Sequence, residues 1–217
     1  MSTQNLHYTP RKFSLLKFNR LSTQNLNCTQ KKSELMGAVS VEIGSNSSAL
    51  ATGVAVGIGS RANLTFVSIG ANAYSTLSGV SIGPSTRVSS SGVSVGPSVE
   101  AAQAAVAIGV SSDSASNGVC VGRNTVCGTN GVAFGGFSNA FNKCTAVGYT
   151  STALSVGSTA ISISPEAGKT GTSNASIALG RSAKCYGDDS ICIGNTSTIP
   201  STTKRRLSSA AILTPKP

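Results

Sequence analysis

The chain has 217 residues, of which only 11% are charged and 5% aromatic, with no Trp and 24 glycines. That balance excludes an ordinary mixed α/β enzyme, which carries more charge and larger core side chains, and the abundance of Val and Ile excludes plain disorder. A single histidine, His7, and six cysteines without a C-x-x-C pair argue against His-based catalysis and zinc. The formal net charge of +10 sits almost entirely at the two ends.

Residues 1–37 read as a basic N-terminal arm. Arg11, Lys12, Lys17, Arg20, Lys31 and Lys32 face Glu34 alone. Phe13, Leu15, Leu16 and Phe18 interleave with these cations, a composition that orders on a partner rather than alone. No apolar run resembles a secretory signal and no stretch reads as a membrane helix, so neither leader nor anchor is expected.

Residues 38–200 are governed by repetition. The pattern Val-x-Ile/Val-Gly places its glycine at Gly44, Gly57, Gly70, Gly83, Gly96, Gly109, Gly122, Gly135 and Gly148, always 13 residues apart. Looser copies follow, a degenerate one starting at Ile161 and good ones ending at Gly180 and Gly194, twelve in all. Positions 1 and 3, such as Val41 and Ile43, are β-branched and two apart, so they share one face of a short strand. The glycine at position 4 suits a turn with positive φ. A second short strand is expected at positions 7–9, with small residues at 7 and 9 pointing in. Position 8, which holds Arg61, Arg87, Glu100 and Asp113, points out.

These features predict an all-β fold, a parallel β-roll or β-solenoid of about twelve short coils. Each coil buries its apolar residues only against its neighbours, and twelve rungs make a rod about 55–60 Å long. Large residues at positions 1 and 3 are expected to fill the core. Position 2, small and uncharged from Ala55 onward, is expected to point outward as a close-packed subunit interface.

Residues 201–217 form a second basic tail, with Lys204, Arg205, Arg206 and Lys216 and no acid. The cysteines are expected to be small buried thiols, as in a reducing compartment. Local motifs dissolve into the repeat. Two G-x-S-x-G matches, around Ser81 and Ser94, lack a histidine base. The G-x-G-x-x-A at residues 57–62 and the partial P-loop ending in Gly168-Lys169-Thr170 lack the helix that phosphate binding uses. Asp188-Asp189 reads as a solvated turn.

Segments such as Ala105-Val106-Ala107-Ile108-Gly109, Ser176-Ile177-Ala178-Leu179-Gly180 and Ser190-Ile191-Cys192-Ile193-Gly194 resemble the head repeats of trimeric autotransporter adhesins. The resemblance spans about residues 41–198. It implies a left-handed parallel β-roll, three chains side by side, and an adhesive or structural role. No counterpart of that family's stalk or membrane anchor is expected from these residues.

The functional expectation is a non-enzymatic structural or attachment protein. It would be a homotrimeric spike, fibre or minor component of a virion or other large particle, bound to other structural proteins through its basic ends. An adhesin head gripping a host surface is a related reading. Nucleic acid or an acidic surface held by the tails is a rival, and an ice-binding face a remote one. No cofactor, metal or small-molecule substrate is expected.

Overall fold

The computed structural model describes residues 40–63, 66–168 and 175–209. Each coil contributes a three-residue strand, a turn, a second strand of two residues (four in Tyr74–Leu77 and Arg87–Ser90) and a second turn. The first strands stack into a 13-stranded parallel sheet and the second into a 12-stranded one, both in strict sequence order. Val67, Val80 and Val93 occupy adjacent rungs of one column, as the period requires. No helix occurs among the described residues. The chain is thus an all-β parallel β-solenoid of about twelve coils.

The faces of the first sheet are inverted relative to the sequence expectation. Position 2 points inward: Ala55, Ser68, Ser81, Ser94, Ala107, Cys120, Ala133 and Ala146 are fully buried. Positions 1 and 3 point outward, and Val41, Ile69, Ile82 and Ile108 are each between 37% and 39% exposed. The reason is the gap between the walls. Cys120 and Cys127 lie on opposite walls of one coil with their Cα atoms 6.0 Å apart, whereas ordinary stacked sheets sit about 10 Å apart. Only Ala, Ser or Cys fits across so narrow a slot. Larger interior groups occur where the neighbouring coil yields space. Val88 is 1% exposed, and a Cβ on Gly92 would come within 3.2 Å of its Cγ1.

Positions 7 and 9 point inward and position 8 outward, as expected. The interior hydroxyls at position 7 complete the turn that precedes them. Ser60, Thr86, Ser138 and Ser151 donate to the carbonyls of Gly57, Gly83, Gly135 and Gly148 at 2.9–3.1 Å. These buried hydroxyls thus keep a partner, whereas Ser68, Ser112 and Ser197 are buried with their Oγ atoms unpartnered. The predicted turn glycines, Gly44 through Gly148 with Gly180 and Gly194, all have φ between 110° and 142°. At Gly135 a Cβ would lie 2.5 Å from the carbonyl oxygen of Gly148 in the next coil, so close backbone approach also demands glycine there. Hydrogen bonds between coils continue around the corners, for example from Ser85 N to Ala71 O at 2.8 Å and from Ser91 N to Leu77 O at 3.0 Å.

The last coils depart from the simple count. The strand of the degenerate copy is Thr159–Ile161, with Ala160 inside. Ile161 is therefore at position 3, not position 1, and Ser162 occupies the glycine place at φ 135°. The column also runs past residue 200. Leu207–Ser209 pairs with Ile191–Ile193, so the start of the expected tail is a further rung.

Candidate functional site

The outward face of the first sheet carries the strongest functional signal. Position 1 runs Val41, Val54, Val67, Val80, Val93, Val106, Val119 and Val132. Position 3 runs from Ile43 through Val56, Ile69, Ile82 and Val95 to Ile193. Thr145 and Thr159 are the polar members before the final rung, and no charged residue belongs to either row. Position 1 is mostly half-buried, and Ile69, Ile82, Ile108, Phe134, Ile161 and Ile193 of position 3 are 37–45% exposed, so the stripe is one contiguous apolar surface rather than scattered single residues, the kind that marks an interaction site. The subunit interface expected at position 2 cannot lie there, because position 2 fills the slot between the walls; the outward apolar rows are positions 1 and 3.

The basic end is built into the final coil. Lys204 bridges Asp188 along the backbone, and its Nζ lies 3.9 Å from the Asp188 carboxylate. Arg205 Nε lies 4.0 Å from Asp189. Arg205 N donates to Asp188 O at 2.8 Å, and Arg206 N to Ser190 Oγ at 3.1 Å. Asp188-Asp189 is therefore a counter-charge for the next rung, not only a solvated turn. The cations remain 80% and 86% exposed at Lys204 and Arg205, so these pairs contribute little stability and leave the charges presentable. Arg11, Lys12, Lys17, Arg20, Lys31, Lys32 and Cys28 lie outside the described residues, as does His7.

The cysteines divide. Cys120 and Cys127 form a disulfide across the slot, which corrects the expectation of thiols throughout. The spacing carried the signal: positions 2 and 9 face each other in one coil. Cys144, Cys185 and Cys192 are buried thiols as expected. Burial pushes the Cys185 thiol up to about 12, and neighbouring Cys192 adds to the rise. Burial likewise raises Cys144, against opposing backbone hydrogen bonds.

The remaining motifs resolve into the roll. Ser81 Oγ lies inside, 2.5 Å from Thr86 Oγ1, and Ser94 Oγ donates to Val99 O at 3.0 Å. Neither is a free nucleophile. Residues 57–62 turn directly into the strand Arg61–Ala62, with no helix to meet a phosphate. Lys169 and Thr170 of the partial P-loop lie outside the described residues. Among the described residues no cluster of three or more His, Cys, Asp or Glu could hold a metal, and no helix is long and apolar enough to cross a membrane.

No family model and no curated protein matches this sequence. The likeness to adhesin head repeats therefore rests on the repeat segments themselves.

One surface cluster escaped the sequence reading. Arg123 stands 4.9 Å from the Phe137 ring centroid, and Phe137 meets Tyr149 edge-on at 5.8 Å. These residues are dispersed in sequence and meet only because turns stack.

Proposed function

We propose that the chain is a non-enzymatic structural attachment protein that associates laterally with copies of itself through its Val/Ile face. The uncharged apolar stripe running the length of the first sheet carries this reading. A second copy in the same register offers a stripe of matching length and chemistry, so burial is continuous from end to end. The resemblance to adhesin heads supports three chains about one axis. A rigid stack closed in this way suits a spike, fibre or minor component of a virion or comparable particle, with basic ends touching the assembly.

Light scattering on the full chain tests the reading. The expected mass is three times 21.7 kDa, falling to one chain when Ile82→Lys and Ile108→Lys are introduced together. These side chains point outward, so circular dichroism of the variant should stay unchanged. A monomeric wild-type protein at micromolar concentration overturns the proposal.

Nucleic-acid contact through the ends is the second reading, favoured by the exposure of Lys204 and Arg205. It requires affinity for DNA that falls steeply with added salt.

A further inference from the structure

The outward ladder of the second sheet runs Ser48, Arg61, Tyr74, Arg87, Glu100 and Asp113, each in register with the next. Rungs are about 4.8 Å apart, so Arg61 and Arg87 flank Tyr74 and stand about 9.6 Å from each other along the ladder. Here two strands lengthen to four residues, Tyr74–Leu77 and Arg87–Ser90, and Leu77 pairs with Ser90. A groove of about 630 Å³ results, with Arg61, Asn72, Tyr74, Thr76, Arg87 and Glu100 in its lining. Among the described residues neither guanidinium has a carboxylate within 4.0 Å, although Glu100 is the rung next to Arg87. Two unpaired arginines astride an aromatic ring, in a concavity, are arranged for a ligand rather than for each other.

We propose that this groove binds a saccharide bearing a carboxylate or sulfate group. The planar forks of Arg61 and Arg87 suit bidentate contact with such an anion. The Tyr74 ring between them offers a surface for the C–H face of a pyranose. The Asn72 amide, the Thr76 hydroxyl and the Glu100 carboxylate supply partners for sugar hydroxyls. Thr76 Oγ1 already donates to Val88 O at 3.3 Å, which leaves its lone pairs to accept. A long polyanion fits poorly. Beyond Arg87 the next rungs present Glu100 and Asp113, and a phosphate chain following the ladder would meet two like charges. The groove lies on the wall opposite the Val/Ile stripe, so lateral association leaves it open. The inference deepens the attachment reading and rests on it for its use, while the binding itself needs only folded coils.

The test is titration of the full chain with 3′-sialyllactose, with a sulfated heparin disaccharide, and with lactose and a thymidine oligonucleotide as controls, followed by calorimetry or ligand-observed NMR. The variants are Arg61→Asn with Arg87→Asn, and Tyr74→Ala. Asparagine already occupies this ladder position at Asn139, so the fold is preserved, which circular dichroism verifies. The expected result is saturable binding of one or both acidic saccharides and none of lactose. The double arginine variant should weaken it about tenfold or more, and Tyr74→Ala should weaken it too. Sialyllactose and the sulfated disaccharide together tell which anion is preferred. Absence of binding by either up to ~10 mM, equal binding of lactose, indifference to the arginine substitutions, or tighter arginine-dependent binding of the oligonucleotide each overturns the proposal. Light scattering on the same samples separates the two ideas: a trimer that binds no saccharide refutes the groove alone, and a monomer that binds refutes only the self-association.

Discussion

Replacing Gly135 by alanine should cripple the stack, whereas replacing Ser162 by glycine should strengthen it. Both residues occupy the same place in the coil, with φ of 118° and 135°. An alanine Cβ at 135 would sit 2.5 Å from the Gly148 oxygen and 2.7 Å from its carbon. Those atoms are backbone, so no side chain can swing away. The coils would have to separate by roughly 0.9 Å to reach ordinary contact, stretching the 2.7 Å bond from Gly148 N to Phe134 O. Strain at a positive φ costs about 1–3 kcal/mol and a weakened buried hydrogen bond about 1–3 kcal/mol more, so a loss of about 3 kcal/mol is expected. At 162 the strain is already present. Glycine relieves it at an entropic cost of roughly 0.5–1 kcal/mol, for a net gain of about 1 kcal/mol. Urea unfolding followed by circular dichroism, at one fixed protein concentration, reads both differences. Gly135→Ala within about 1 kcal/mol of wild type, or Ser162→Gly clearly destabilising, would refute the account of the glycine column.

Two further outcomes follow from the buried groups. Stability should decline as pH rises from about 9 toward 12, because Cys185 and Tyr186 are both raised to about 12 from ordinary values of 9.0 and 10.0. The folded state holds their protons where the unfolded chain has released them, so the unfolded form gains with pH; urea midpoints across that window check this. Burial is the larger cause at Tyr186, and the Glu166 carboxylate that accepts its hydroxyl at 2.7 Å is the next. Glu166→Gln should therefore bring tyrosinate absorbance to lower pH. Reducing the Cys120–Cys127 bridge, which closes a short loop with a separation of 7, should cost about 2–2.5 kcal/mol on the chain-entropy model, seen as a lower unfolding midpoint with reductant and two extra titratable thiols.

The period, the parallel register and the turn glycines were legible from the sequence, because thirteen-residue spacing admits one stacking. The outward ladder was legible too, since Arg61, Arg87, Glu100 and Asp113 fall on a single position. The side of the first strand that faces inward was not. Alternation says that Val106 and Ala107 point to opposite faces, and it is silent on which face is interior. The wall separation decides that, and its sequence trace is the agreement between small residues at positions 2, 7 and 9. Taking Val and Ile as core therefore exchanged the two faces. The same habit misplaced the degenerate copy, where Ile161 drew attention and Ala160 marked the inside. The saccharide groove was only half visible. Its charges stood out, but only the strand register set Tyr74 between them.

Because each coil touches only the one before and the one after, length is an independent variable in this design. Excising or copying one tridecapeptide between Gly96 and Gly135 would shift every later rung by one step and leave both ends chemically untouched. Such a rod can be lengthened or trimmed like a measuring stick. The reach between whatever its two ends hold is thus open to adjustment by simple gene duplication, without any redesign of the interior.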